Sequence, residues 1–183
     1  DIARELPHHE EELKMISNAI KNCGRDMVFS VSPGPSRLER SEFSKQYANM
    51  WRITDDFWDK WELLYAMFER AEKWCIHTGA GHWPDADMLP IGPILQDYDK
   101  SIRTKFTEAE QVTMMTLWSI FRSPLIIGGE MTGFDEFTMS LLTNEDIIRM
   151  HHNSRHSRPV YRRNADGNEY ILWTAFSSEG GYY

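Results

Sequence analysis

Asn49-Met50-Trp51-Arg52-Ile53-Thr54-Asp55-Asp56-Phe57-Trp58 joins a short apolar run to an arginine, two adjacent carboxylates and three aromatics. The run reads as a strand over about residues 48–53, and the helical pattern after it makes a strand–helix unit. Arginine and carboxylate four apart at a strand end can converge on one small polar ligand. An apolar rim can hold a carboxyl protonated, as a general acid requires. A surface ion pair of Arg52 and Asp55 beside core tryptophans accounts for the same residues.

Downstream, residues 58–75 predict a helix, with Trp61, Leu64, Met67, Phe68 and Ala71 on one face and charges opposite. Upstream, residues 27–32 form a short apolar run that ends at Pro33-Gly34-Pro35 and reads as a buried strand. Residues 36–47 predict a short helix between the two strands. Residues 7–23 predict a helix with Pro7 in its first turn, a solvated Glu10-Glu11-Glu12 face and Gly24 as its stop. Beyond Gly79-Ala80-Gly81, residues 82–92 form a compact segment carrying Asp85 and Asp87. Thr107 and Glu110 spell a capping box for a helix to about Arg122, and residues 124–129 read as a fourth buried strand. A polar helix follows over 143–152. After Pro159 the period changes, and two runs flanking Asn164-Ala165-Asp166-Gly167-Asn168 predict a hairpin.

Four strands alternating with helices fit βα units and a parallel sheet. Ser32, Arg52 to Asp56, and Asp85 to Asp87 all fall at or just after strand ends, where such folds collect their chemistry. A barrel and an open doubly wound sheet predict the same edge.

The totals narrow the function classes. A chain of 183 residues with 41% hydrophobic and 26% charged residues can bury a core. Its net charge of −8 argues against nucleic acid and against an anionic membrane surface. Aromatics at 13%, with 7 Trp, suit a core and also suit sugar-stacking pockets. Cys23 and Cys75 read as free thiols. No apolar run reaches membrane-span length, and Asp1-Ile2-Ala3-Arg4-Glu5 has neither the basic nor the apolar part of a signal peptide. The start, lacking Met, reads as a cut end.

Trp51-Arg52-x-x-x-Asp56, Asp85-Ala86-Asp87-Met88-Leu89, the run from Thr116 to Gly128, and Leu142-Thr143-Asn144-Glu145-Asp146-Ile147-Ile148 together resemble the α-galactosidase and α-N-acetylgalactosaminidase family of glycoside hydrolases. The likeness runs with gaps from about residue 24 to 160. It implies an α/β fold: the second half of a (β/α)8 TIM barrel over 1–157, then the start of an antiparallel β domain over 158–183. It implies a retaining mechanism with two carboxylates. By that resemblance Asp56 is the acid/base, Arg52 binds the sugar near its 2-position, Asp87 lines the pocket, and Trp51 and Ser32 are further substrate contacts. Asp55 falls on a non-catalytic neighbour.

Two departures matter. The family's nucleophile lies in a Lys-x-Asp motif that this sequence lacks, so it is expected just before Asp1, with Asp1 as its neighbour; the chain alone is then expected to be catalytically incomplete. Ser32-Pro33-Gly34-Pro35 replaces the Glu usual in α-galactosidases with a small residue, the pattern that leaves room for a 2-acetamido group.

The ordinary structural readings stand beside these. Asp56 also suits a helix N-terminus, and Asp85 reads as a cap or turn. Ser32 lacks the Gly-x-Ser-x-Gly context of a nucleophile. Asp85-x-Asp87 has too few oxygen ligands for a cation, and His8-His9, His151-His152 and His156 match no zinc spacing, so no metal and no cofactor is expected. Met114, Met115 and Met139 read as core filler. A non-catalytic sugar-binding or structural module, and the same fold acting on β-L-arabinopyranosides, remain as alternative functions. The resemblance implies first an exo-hydrolase that removes terminal α-linked galactose or N-acetylgalactosamine, so the expected partners are an α-galactoside or α-N-acetylgalactosaminide substrate and either the missing half of the barrel or a second copy. The family resemblance implies a secreted or periplasmic location.

Overall fold

The computed structural model describes residues 9–183 apart from Pro33, Tyr98 and Asp99. The expectations attached to Asp1, Pro7, His8 and Pro33 lie outside the described residues. Helix α1 spans Glu10–Asn22, with Glu10, Glu11 and Glu12 in its first turn and Lys21 in its last, the charge order that complements the helix dipole.

Three short strands form a parallel sheet: β1 (Ser30–Val31), β2 (Met50–Arg52) and β3 (Trp83–Asp85), in that spatial order. Ser30 pairs with Met50 and Val31 with Trp51; Met50, Trp51 and Arg52 pair with Trp83, Pro84 and Asp85. Alternation sends Val31, Trp51 and Pro84 to one face and Ser30, Arg52 and Asp85 to the other. The first face is covered by helices. Helix α2 (Ser41–Tyr47) connects β1 to β2. Helix α3 (Trp61–Trp74) connects β2 to β3 and buries Leu64, Met67, Ala71 and Trp74. Parallel neighbours need such crossovers. Helix α3 starts later than Trp58 because Lys60 is extended, at φ −124° and ψ 128°.

The fourth apolar run does not become a strand of its own. A single parallel bridge joins Leu89 to Ile127, with the Leu89 amide donating to Ile126 O and the Gly128 amide to Leu89 O. The run therefore meets the segment after β3. Two glycines permit the approach: a Cβ on Gly128 would lie 2.5 Å from Met88 Sδ, and one on Gly129 would lie 2.1 Å from the Ile91 carbonyl oxygen.

Between β3 and the next helix the chain adds an antiparallel hairpin, β4 (Pro93–Asp97) and β5 (Lys100–Arg103), which the sequence reading did not foresee. Helix α4 (Glu108–Phe121) carries the capping box of Thr107 and Glu110. It is the central helix, with Met114, Met115, Leu117, Trp118 and Phe121 all buried. Met139, read as core filler, is instead 46% exposed on α5 (Glu136–Leu142). That helix was also unforeseen; the Asp135 side chain caps it by accepting the Thr138 amide. Helix α6 (Glu145–Asn153) is capped by Asn144.

Strands β6 (Ser154–Ala165) and β7 (Asn168–Ser177) form the hairpin read from the sequence, and it is longer than expected at both ends. Asp166 and Gly167 make its turn at φ 53° and 76°, the double left-handed geometry of a tight hairpin loop. Residue 157 lies inside β6. Ser154 and Ser157 are buried, and the Ser157 hydroxyl donates to Ile120 O, so the root of the hairpin is packed onto α4. Cys23 is exposed and Cys75 buried, both free. No helix among the described residues is long and apolar enough to cross a membrane.

Candidate active site

Arg52 ends β2 on the sheet face that the helices leave uncovered, and it is the hub of a carboxylate cluster. Its Nη2 lies 2.7 Å from Asp87 Oδ2 and 3.3 Å from Asp56 Oδ1. The side chains of Arg52 and Asp87 are 12% and 13% exposed, whereas Asp56 is 60% exposed. The strong contact is therefore the sheltered one with Asp87; the pair with Asp56 is solvated and contributes little to stability. The cluster thus presents an anchored guanidinium beside an accessible carboxyl.

The loop carrying Asp56 is held by its neighbour. Phe57 is buried, its ring 4.9 Å from that of Trp118 and 6.1 Å from that of Phe106. The Phe57 amide donates to Asp87 Oδ2 at 2.6 Å. The Ile53 amide donates to Asp85 O at 2.9 Å, prolonging the β2–β3 ladder to the base of the cluster.

After β3 the strand bonds are replaced by side-chain acceptors. The Ala86 amide donates to Ser123 Oγ, the Asp87 amide to Asp85 Oδ1 and the Met88 amide to Asp87 Oδ1, at 2.9, 2.8 and 2.7 Å. Trp118 Nε1 donates to Asp87 O at 2.9 Å. Asp87 sits at φ 79°, in the left-handed region. Burial pushes the Asp85 carboxyl above the usual range, against the lowering effects of the Asp87 amide and the Arg52 charge. Asp85 is thus an internal acceptor, in line with its reading as a cap or turn.

Of the other sequence candidates, Ser32 follows β1 directly and is exposed. Continuing the register of Val31 with Trp51 brings it level with Arg52. The loop after it crosses the end of β2, where the Ser36 amide donates to Arg52 O at 2.8 Å. Trp51 needs correcting as a substrate contact. It has no exposed surface, and its ring lies 6.0 Å from that of Trp74 on the helix side. Strand alternation turns it away from the face that carries Arg52.

The sequence reading also missed two supports. Asp59 Oδ2 accepts the Lys105 amide at 2.7 Å, tying the start of α3 to the segment before α4. Ser123 holds Ala86 from the far end of α4. No local pattern marks partners so far apart. His151, read as part of a solvated helix end, is half-buried: its Nε2 bonds Ser123 O at 2.8 Å, and its carbonyl accepts Arg122 Nε. Burial lowers its pKa, the hydrogen bond to the Ser123 carbonyl partly offsets this, and the Arg122 charge lowers it further. Among the described residues, no group of three or more His, Cys, Asp or Glu could hold a metal ion.

A family model described as Alpha galactosidase A matches residues 3–153. The chain superposes on a β-L-arabinopyranosidase of glycoside hydrolase family 27 from Geobacillus stearothermophilus with 53% identity and a TM-score of 0.87, covering 94% of this chain and 40% of that one. A candidate α-N-acetylgalactosaminidase from Bacillus halodurans is 47% identical, with a TM-score of 0.73, over 97% of this chain and 40% of that one. Alpha-galactosidase 2 of Arabidopsis thaliana is 26% identical over 138 residues, which are 75% of this chain and 32% of that protein. The chain thus spans about a third of the length of the curated relatives it matches.

Proposed function

The chain belongs to the Alpha galactosidase A family of glycoside hydrolases, and from that premise we propose that it forms part of a retaining exo-glycosidase, contributing the second half of a (β/α)8 barrel and the start of a β domain. The observation that carries the reading is Arg52 Nη2 standing between Asp87 and Asp56 at the C-terminal ends of adjacent parallel strands. That edge is where barrel chemistry collects.

In this reading Arg52 and Asp87 bind ring hydroxyls. The planar guanidinium supplies donors in a fixed fork, and the carboxylate supplies acceptors. Asp56 supplies the proton. As the anomeric carbon–oxygen bond breaks, the Asp56 carboxyl protonates the departing oxygen while a second carboxylate attacks the anomeric carbon from the opposite face. Asp56, now ionised, then takes a proton from water, whose oxygen displaces the enzyme carboxylate. Asp87 is a poor choice for that nucleophile, since its oxygens already serve Arg52, Phe57 and Met88. Asp85 is buried behind it.

For the substrate, terminal β-L-arabinopyranosides are favoured, because the arabinopyranosidase relative is 53% identical across 94% of this chain. This sugar has the ring stereochemistry of galactose without the exocyclic carbon. Terminal α-linked galactose or N-acetylgalactosamine is the second reading, supported by the family and by the small residue at Ser32. Rates of the full-length protein on the three aryl glycosides test the choice. The arabinopyranoside should be cleaved fastest, and faster cleavage of either galacto-configured substrate would reverse it. Asp56→Asn should lower kcat by roughly 10²–10⁴-fold; undiminished turnover would remove Asp56 from the mechanism.

A further inference from the structure

We propose that Asp85 is a positioning residue for this site: its buried carboxylate holds the Asp87 backbone in the left-handed conformation that aims the Asp87 side chain at Arg52 and at the Phe57 amide. The inference deepens the glycosidase reading and rests on it for its kinetic readout. Its structural readout stands on geometry alone.

Asp87 is one of four residues other than glycine with positive φ among those described. Such a conformation crowds the Cβ of an L residue, so something must hold it. Both peptide groups flanking Asp87 are held. On the N-terminal side its amide donates to Asp85 Oδ1 at 2.8 Å; on the C-terminal side its carbonyl accepts Trp118 Nε1 at 2.9 Å. Both holders are rigid. Trp118 is fully buried in the central helix, and Asp85 is 4% exposed with its own carbonyl bonded to the Ile53 amide. With the two peptide planes fixed, the Asp87 side chain leaves the backbone in one direction, toward Arg52 Nη2 at 2.7 Å and the Phe57 amide at 2.6 Å.

Asp85, 4% exposed, acts through Asp87. Without its acceptor the Asp87 amide is left unpaired, and the backbone can return to the right-handed region. The Asp87 carboxylate then swings off Arg52, and the sugar contacts of both residues weaken together. Asp56, bonded to Arg52 from a loop that the buried Phe57 ring still anchors on Trp118 and Phe106, keeps its chemistry. The signature is a loss of binding more than of turnover.

The test measures kcat and KM of the full-length protein on its best aryl glycoside for Asp85→Ala, Asp85→Asn, Asp87→Ala and the double variant Asp85→Ala/Asp87→Ala. Asp85→Ala should raise KM about tenfold with kcat held within about threefold. Asp85→Asn keeps an oxygen acceptor at the same place and should return KM to within about threefold of the parent. In the Asp87→Ala background, adding Asp85→Ala should change KM less than about twofold, because the route through Asp87 is already cut. A parental KM in Asp85→Ala, an Asn variant as impaired as Ala, or additive effects in the double variant would overturn the proposal. If Asp85→Ala does not fold, Asp85→Leu, which fills the same space without an acceptor, takes its place.

Amide hydrogen exchange at Phe57, Asp87 and Met88 separates the outcomes. It should quicken in the variant without an acceptor and stay parental in Asp85→Asn. Unchanged exchange overturns the positioning role even if no glycoside is cleaved. Quickened exchange in a protein that cleaves none retains it and discards only the glycosidase reading.

Discussion

The Phe57 amide donates to Asp87 Oδ2 at 2.6 Å, across thirty positions of chain. This bond ties the loop after β2, which carries Asp56, to the loop after β3, which holds Arg52 in place. The same carboxylate oxygen serves the Arg52 guanidinium at 2.7 Å. One carboxylate oxygen therefore joins the guanidinium at the end of β2 to the backbone of the loop that follows it.

Replacing either partner should separate charge from shape. Arg52→Lys keeps the positive charge but loses the planar guanidinium whose Nη2 meets Asp87 and Asp56 together. Its kcat/KM should fall roughly 10²-fold, as expected when a group that orients the substrate is misplaced. Asp87→Ala leaves the sheltered guanidinium only its longer, solvated contact with Asp56 and takes the acceptor from the Phe57 and Met88 amides, and should lower stability by about 2–4 kcal/mol, allowing for the partial exposure of the pair. Denaturant unfolding of both variants, beside the kinetics, checks this. An Arg52→Lys enzyme with parental kcat/KM would mean that charge alone suffices.

Gly129→Ala tests the close approach that stands in for the fourth strand. The added Cβ would meet the Ile91 carbonyl oxygen at 2.1 Å, and a backbone atom cannot step aside as a side-chain tip can. The expected cost is about 1–3 kcal/mol, seen as a lower melting temperature. An unchanged melt would show that the 124–129 segment can lift off the chain after β3 without loss.

Much of this architecture was legible because its signals are local. The Thr107 and Glu110 capping box, the Asp166-Gly167 turn and the strand-end position of Arg52 each depend on a few consecutive residues. What escaped depends on partners far apart in the chain. The bond of Asp59 to the Lys105 amide and that of Ser123 to the Ala86 amide leave no pattern in either stretch. Trp51 was misjudged because it adjoins Arg52 in sequence, whereas the pleat sets the two on opposite faces. The run 124–129 looked like a buried strand from its apolar residues, yet Ile126 and Ile127 are 46% and 39% exposed. Apolarity marked the segment as one that prefers burial without saying which neighbour covers it.

His151 gives a dependence of stability on pH. Burial lowers its folded-state pKa below that of the unfolded chain; the bond to the Ser123 carbonyl offsets part of this, and the Arg122 charge adds to it. The unfolded state therefore binds the proton more tightly. Stability from this group is fully present above the unfolded value of about 6.5 and is lost as pH falls through the folded value. His151→Gln can still donate to the Ser123 carbonyl but does not titrate, so it should flatten the fall in melting temperature below about pH 6.5. An identical slope in the variant would assign the acid sensitivity to other groups.

The sheet itself predicts association. Strand β1 is an edge of the three-stranded sheet, and just before it Val28 is 74% exposed, while Ile126 and Ile127 are exposed beyond β3. Unpaired backbone with apolar side chains beside it is a template for another strand. In a closed barrel such edges meet further strands, and the face bearing Arg52 turns inward. This 183-residue chain, prepared by itself, should sediment as a dimer or larger species, and separately supplied residues completing the barrel should convert it to a defined complex. Val28→Lys should weaken the association, since a lysine on an exposed edge opposes strand addition. A monomer with a single cooperative melt, unaffected by that substitution, would mean that the edges are closed by this chain's own segments and that the sheet is not half of a barrel.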